Sequence, residues 1–546
     1  MEGEGQTSKW WQEAIGYQIY PRSFKDTNHD GLGDINGIRE KLSYLKELGV
    51  DFIWITPIYE SPNVDNGYDI SDYCAISADF GTMAEFQCLV QEAHDLDIKI
   101  IMDLVINHTS NQHYWFQESR KGGDNDYRDF YIWHPPVDGK EPNDWHAIFG
   151  GSVWEYDDLR GEYYFHAFAK EQPDLNWDSP IMRQKIFEMI EWWIEQGIDG
   201  FRIDAISHIK KDDWHRPFDF ADVNGNYKNI EGIDVYLKEL SALLKKHQVM
   251  SVGEANGVKA EEATAWVGEH GYFDMIFEFE HIDLWRTRND EGIDLLSFKN
   301  ALIRWQEALA DGRGWNALYM ENHDVSRSIS AFGNDSLAYR TLSGKALAMT
   351  FMLLQGTPFI YQGQEIGMIN NQFESIAQID AVDSRNLYES LIETRATIEE
   401  AMQVISGTTR DNARKPMQWD ASTFAGFSEK EPWLAINENK NWLNVVEEQR
   451  NPASIYHFYK QLIALRKEHP TFIKGEFHYV EANNDHLFCY ERKDDQACFT
   501  IVVNLGETEQ TCDYLGSLQN QEIILANYEE NVTDCLRPYE ARLYRK

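Results

Sequence analysis

Eight short apolar segments constrain this chain more than any other feature. They begin near residues 17, 52, 99, 200, 250, 273, 317 and 358, and most have a helical pattern behind them. Tyr17–Tyr20, Phe52–Ile55, Lys99–Val105 and the segments starting at Gly200, Ser251, Phe273, Ala317 and Pro358 read as strands. Apolar residues at helical spacing, such as Ile38, Leu42, Leu45 and Leu48, predict helices over 35–48, 83–96, 233–246, 294–309, 341–354 and 454–467. Most strand starts lie about 25–50 residues apart, the length of a βα unit, and eight such units close into a parallel barrel more readily than into an open sheet. Between the third and fourth strands the gap is about 100 residues, which predicts an extra subdomain in that connection.

The expected architecture is therefore α/β: a (β/α)8 TIM barrel over 1–107 and 181–470, with an inserted domain at 108–180. A second, irregular insertion falls at about 370–451, after the eighth strand. Beyond residue 471 the pattern changes to short β-like runs such as Cys498–Leu505, which predicts a C-terminal antiparallel β-sandwich over 471–546.

Charge narrows the partners. A formal net charge of −41 over 546 residues opposes binding to nucleic acid or an anionic membrane, both of which reward a basic surface. The longest apolar run, Ala346–Leu354, is too short to span a bilayer, and the first residues lack the pattern of a signal peptide. Six cysteines without a CxxC pair predict reduced thiols in a cytoplasmic protein, and a monomer or weak homodimer is expected. The aromatic content (18 Trp, 27 Tyr, 28 Phe) suits a core and also a cleft in which rings stack on sugars.

The strand ends carry the chemistry. In Gly200-Phe-Arg-Ile-Asp204 the apolar residues belong to a core, while Arg202 and Asp204 share one face of the strand. An Arg so placed is expected to hold the Asp ionised, as a nucleophilic carboxylate requires; a structural ion pair is the alternative reading. Strand three ends at Asp103 and runs into Asn107-His108, strand five ends at Glu254, and strand seven at Glu321-Asn322-His323-Asp324. Barrel enzymes place their sites at these ends, so the charged groups are expected at one mouth.

Asp103-Leu-Val-Ile-Asn-His108, Gly200–Asp204, Gly253-Glu254 and Asn322-His323-Asp324 resemble the four signature regions of the α-amylase family of glycoside hydrolases. Gln172-Pro-Asp-Leu-Asn176, Asp65–Tyr73 and Arg410–Trp419 are similar to further motifs of its oligo-1,6-glucosidase and α-glucosidase branch. The resemblance implies Asp204 as nucleophile, Glu254 as general acid/base and Asp324 as transition-state stabiliser, with His108 and His323 on sugar oxygens. It implies Asp65 and Arg414 as a clamp on the non-reducing glucose, Tyr68 as a stacking platform, and Arg202 and Gln172 among the substrate-binding residues. Phe168 and Phe149 are weaker candidates for the pocket wall.

The loop after strand one has oxygen-bearing residues at Asp26, Asn28, Asp30 and Asp34 with Gly31 at the turn, matching the first part of an EF-hand loop, although Gly37 stands where the closing Glu would be. Similar enzymes hold a structural Ca²⁺ (sometimes Mg²⁺) there, with the Leu32 carbonyl as a ligand. For linkage, relatives preferring α-1,6 bonds usually carry Val after the nucleophile, where this chain has Ala205. A short Ala leaves room for an α-1,4-linked aglycone, with Asn256 and His208 as hydrogen-bonding candidates. The expectation is an exo-acting α-glucosidase on maltose and short α-1,4-glucooligosaccharides, with an oligo-1,6-glucosidase as alternative and a phosphotrehalose hydrolase ranked lower. A non-catalytic interaction protein of the same fold is the remaining alternative, disfavoured because the carboxylates are present.

Overall fold

The structure, a computed structural model, describes residues 9–287, 292–482, 484–530 and 535–546. Eight parallel strands form its centre: β1 (Gly16–Ile19), β2 (Phe52–Ile55), β3 (Lys99–Val105), β4 (Gly200–Asp204), β5 (Met250–Glu254), β6 (Met275–Phe277), β7 (Ala317–Leu318) and β8 (Thr357–Tyr361). They neighbour one another in the order 6-5-4-3-2-1-8-7, and a parallel bridge between Ile276 and Asn316 joins the two ends of that row. The sheet is thus a closed barrel. Its strands are almost wholly buried, as expected of a parallel sheet covered by helices.

Local chemistry explains the helices behind the strands: α1 (Ile35–Leu48), α2 (Met83–Asp95), α3 (Pro180–Glu195), α4 (Asp234–His247), α5 (Ala263–Val267), α6 (Leu295–Ala308), α7 (Arg340–Met352) and α8 (Ile455–Glu468). Asp34 caps α1 by accepting from the Gly37 N–H, and Gly49 ends it in the left-handed conformation (φ 104°) that glycine adopts without steric cost. Thr82 and Glu85 form a capping box on α2, while Ser179 and Pro180 open α3. At Gly200 a Cβ would stand 2.4 Å from the Met250 carbonyl, so β4 can begin this close to β5 only with glycine.

The long connection between β3 and α3 holds a three-stranded antiparallel sheet, Trp133–His134, Glu162–Phe165 and Trp154–Asp157, over an aromatic core of Trp145, Trp154 and Phe165. The segment after β8 is more regular than its sequence suggested. It carries helices Val382–Glu393 and Ile398–Thr408, the second opened by a Thr397/Glu400 capping box. The apolar stripe was hard to see because few of their residues, Ala401, Met402 and Ile405 among them, are buried. The C-terminal domain is a five-stranded antiparallel sheet of β9 (Glu476–Tyr479), β10 (Leu487–Lys493), β11 (Cys498–Asn504), β12 (Glu522–Ala526) and β13 (Ala541–Arg545), in the order 9-10-11-13-12. Helix Asp513–Ser517 and a Gln510–Leu536 bridge lie outside its ladders.

Candidate active site

The register of three adjacent strands assembles the centre of the site. Asp103 of β3 pairs with Arg202 of β4, which pairs with Val252 of β5, so residues two positions on, at the strand ends, meet at the barrel mouth. Arg202 Nη1 lies 2.9 Å from Asp103 Oδ1 and 2.5 Å from Asp204 Oδ1, and Nη2 lies 2.6 Å from Glu254 Oε2. Its flat face rests on Trp54, 5.0 Å from the ring centre. Ala205 turns the chain in the left-handed region (φ 45°), and its N–H donates to Glu254 Oε2 at 3.1 Å. Asp204 and Glu254 are thus held by the two terminal nitrogens of one guanidinium.

One guanidinium here faces three carboxyl groups, and the balance differs from the sequence expectation. Burial pushes Asp204 up to about 7, against the attraction of Arg202, because that attraction is shared and the Asp103 charge opposes it. Burial likewise raises Glu254 to about 7, with Arg202 lowering and the Asp204 charge raising it. Asp103 rises to about 6 for the same reason. Arg202 therefore does not hold Asp204 deeply ionised by itself, because it also serves Asp103 and Glu254. Both carboxyls are thus raised toward neutrality, where the Asp204–Glu254 pair takes up a proton as a unit.

Asp324 is set differently. Burial opposes its charge, but His323 (3.0 Å), Arg410 (3.2 Å) and Arg414 (2.8 Å) hold its carboxyl well below the usual carboxylate range. Gln18 Nε2 donates to His323 Nδ1 at 2.7 Å, which leaves the ring proton on Nε2, facing Tyr68 Oη at 2.6 Å. Tyr68 stacks on that ring (centroids 5.2 Å, interplanar 6°) and donates a hydrogen bond from its own hydroxyl to Asp103 Oδ2 at 3.0 Å. Asp103, a strand end to which the sequence assigned no role of its own, thus links the Tyr68–His323 stack to Arg202.

The surrounding wall corrects one pairing. The guanidinium on Asp65 is that of Arg410 (3.1 Å), while Arg414 turns to Asp324 Oδ1 and to the His323 carbonyl (3.0 Å). Arg410 also meets Asp383 at 2.7 Å and lies over Phe149 at 5.0 Å. Both arginines stand in the stretch Arg410-Asp-Asn-Ala-Arg414, four residues apart, which was the signal available in the sequence. Gln172 Nε2 donates to Asp65 Oδ2 at 3.1 Å and lies 3.3 Å from His108 Nε2. Phe168 packs between His108, Phe149 and His208 at ring distances of 5.1, 5.4 and 5.9 Å. Buried His208, lowered to about 4 by desolvation, donates from Nδ1 to the Tyr227 carbonyl. Asn256, two residues after Glu254, lines a groove of about 490 Å³ with Lys228, Val258 and Lys259.

The loop after β1 spends its oxygens locally. Asp34 accepts from Thr27 Oγ1 and the N–H groups of Thr27, Asn28 and Gly37, and Asp26 accepts from His29, Gly31 and Ser428. Asn28 and Asp30 accept from the N–H groups of Asp30 and Leu32. Among the described residues no group of three or more His, Cys, Asp and Glu side chains is arranged to hold a metal ion. Among them, too, no helix is long and apolar enough to cross a membrane.

The α-amylase catalytic-domain family model matches residues 18–475. A probable oligo-1,6-glucosidase 3 of Bacillus subtilis (strain 168) is 48% identical over 549 residues, covering 98% of this chain and 99% of that protein. An α-glucosidase of Pediococcus pentosaceus is 42% identical over 560 residues, covering 99% of each. Among solved structures, a trehalose-6-phosphate hydrolase of Bacillus licheniformis superposes with a TM-score of 0.93 at 38% identity, covering 98% of this chain and 100% of that one. An isomaltulose synthase from Erwinia rhapontici NX5 does so with a TM-score of 0.93 at 36% identity, covering 99% of each chain. The match over most of the chain, on a barrel whose strand ends bring Asp204, Glu254 and Asp324 together, makes this protein a member of the α-amylase family of glycoside hydrolases, alongside oligo-1,6-glucosidases and α-glucosidases.

Proposed function

We propose that the protein is a retaining, exo-acting α-glucosidase that releases glucose from the non-reducing end of maltose and short α-1,4-glucooligosaccharides. One observation carries the retaining part: Asp204 and Glu254 are held by the two terminal nitrogens of one guanidinium, at 2.5 and 2.6 Å. An inverting pair would leave about 6.5–9.5 Å for a water between them, whereas a retaining pair needs only about 5–5.5 Å. In this reading Glu254, protonated near neutrality, gives its proton to the glycosidic oxygen while Asp204 attacks the anomeric carbon. A glucosyl ester on Asp204 forms and the aglycone leaves. Glu254 then takes a proton from water, which attacks the same carbon and frees Asp204. Asp324, kept ionised by His323, Arg410 and Arg414, accepts hydrogen bonds from sugar hydroxyls as the oxocarbenium-like charge develops.

Exo-action follows from the closed wall. Asp65, Arg410, Arg414, Gln172 and His108 bind one terminal glucose, Tyr68 lies below it, and Phe168 and Phe149 shape the rim. The preference for α-1,4 links rests on Ala205, whose methyl group leaves space beside the acid/base for the aglycone, with His208 and Asn256 as more distant contributors. A second reading, oligo-1,6-glucosidase, is favoured by the names of several relatives at 42–48% identity. Comparing kcat/KM on maltose and isomaltose tests the choice. A ratio above one supports the α-1,4 reading; a clear preference for isomaltose replaces it with the α-1,6 one.

Two accompanying proposals concern setting. The protein acts in the cytoplasm, as a monomer or weak homodimer, on small oligosaccharides. The loop 26–34 takes a structural Ca²⁺ or Mg²⁺ through the oxygens of Asp26, Asn28, Asp30 and the Leu32 carbonyl, with Asp34 joining only by giving up bonds to Thr27. A chelator should then lower Tm and added Ca²⁺ restore it; an unchanged Tm removes the metal.

A further inference from the structure

Behind the wall of the pocket lies a buried ammonium to which the reaction gives no task. Lys211 stands in the chain after β4, and its side chain is only 3% exposed. Its Nζ lies 2.6 Å from Asp174 Oδ2 and 3.1 Å from Asn107 Oδ1, and it also donates to the His208 carbonyl. Three oxygens thus meet the three hydrogens of one ammonium. Asn107, just past β3 and fully buried, places its Nδ2 3.0 Å from Asp174 Oδ2 and 3.1 Å from His108 Nδ1. The other Asp174 oxygen accepts from the Ala167 N–H at 2.9 Å, which holds the carboxylate in place.

From this network we infer that Lys211 is a positioning residue for His108: it orients the Asn107 amide, and the amide fixes the imidazole as the neutral tautomer with its proton on Nε2. The inference rests on the sugar-binding role proposed above for His108. An amide turned end for end keeps its shape, so its neighbours alone decide which end is the oxygen. An ammonium only donates and a carboxylate only accepts. Lys211 therefore takes the Asn107 oxygen and Asp174 takes the NH₂ group; the reversed amide would set donor on donor and acceptor on acceptor. The second N–H of that amide points at His108 Nδ1, which must accept and so carries no proton. The ring N–H is left on Nε2, which donates to the Tyr68 carbonyl at 3.0 Å and lies beside Gln172, the residue that holds Asp65. A proton on Nδ1 would face the amide N–H, so the ring stays neutral. Burial lowers His108 below its ordinary value, and the Lys211 charge adds to this against the pull of Asp174 and Asp65. Lys211 touches no sugar itself. It presents a donor edge to the terminal glucose through two other side chains.

The test reads the ring directly. Whole enzyme labelled with nitrogen-15 at histidine, with His108 assigned by its loss in His108→Gln, gives a long-range proton–nitrogen spectrum of the imidazole. The expected result is a bare Nδ1 and a protonated Nε2 over about pH 5.5–8. In Lys211→Met the amide loses its orientation, and His108 should take a proton on Nδ1 as pH falls. In Asn107→Asp, which keeps Lys211, a carboxylate oxygen facing Nδ1 should hold that proton throughout. The kinetic counterpart is a double-mutant comparison. Lys211→Met should lower kcat/KM on 4-nitrophenyl α-glucoside roughly tenfold in the wild-type background, but by no more than about twofold in His108→Ala, because both changes act on one contact. A proton on Nδ1 in wild type, a ring unchanged in both variants, or an equal fall in both backgrounds overturns the proposal. If wild type left the glucoside intact, the glucosidase reading would fall, while the spectrum would still decide this one.

Discussion

Two groups of buried arginines in this molecule make opposite use of the same side chain. Arg202, 2% exposed at the barrel mouth, faces Asp103, Asp204 and Glu254, and its own pKa is driven up by their charges against burial. Arg466 and Arg492, both 0% exposed, face only backbone carbonyls: Arg466 takes those of Met352, Leu354 and Gly356 at the end of α7, and Arg492 those of Leu353, Phe472 and Gly475. Burial lowers them to about 9 and about 10. Carbonyls do not titrate, so the second group tunes nothing: Arg466 ties α8 to the chain that follows α7, and Arg492 ties β10 of the C-terminal domain to Leu353 beside it. Where the partners are acids, the same burial distributes one positive charge among three groups and leaves a mobile proton between two of them. The mouth is thus chemically poised and the junction is mechanical.

Mutation should separate the two sharply. Asp204→Asn should lower turnover on 4-nitrophenyl α-glucoside by on the order of 10⁴-fold or more with Tm nearly unchanged, since it removes the attacking oxygen while keeping shape. Arg466→Met should do the reverse, costing about 3–5 kcal/mol in denaturant unfolding because three carbonyls lose their donors, while kcat/KM of the folded enzyme at low temperature stays near wild type. A fall in kcat/KM to match would break the contrast. The shared proton gives the next effect. Glu254 must be protonated to act, and its value is raised to about 7, so kcat/KM should decline as pH rises through about 7, approaching tenfold per unit. On the acid side it should fall again as Asp204 takes up a proton. A profile flat from pH 6 to 9 would contradict this. The smallest effect is at the rim: Ala205→Val should shift the maltose-to-isomaltose ratio several-fold toward isomaltose. Because Ala205 already stands at φ 45°, where a β-branched residue is strained, its Tm should fall as well, and Ala205→Gly, which leaves the ratio high, is the control.

The barrel was legible because each βα unit states its own period. Ile38, Leu42, Leu45 and Leu48 gave α1 its bounds, and the charged ends of β3, β4, β5 and β7 marked the mouth before any distance was known. What the sequence hid was partner choice. Arg202 and Glu254 are 52 residues apart, and only the register of β4 on β5 brings them together. Arg410 and Arg414 look equivalent in one motif, yet one reaches back to Asp65 and the other to Asp324, because they project from different points of a short helical turn, Asp411–Arg414, and its flank. Asp103 was equally hard to weigh, since its task is to link Tyr68 to Arg202 rather than to approach a substrate.

The retaining mechanism stands or falls on a covalent bond to one oxygen. A slow fluorinated α-glucosyl fluoride should inactivate the enzyme and leave a single glycosylated peptide, which mass spectrometry should assign to Asp204, and proton NMR of the natural reaction should first reveal α-glucose. Label on another residue, or β-glucose as the first product, would contradict it.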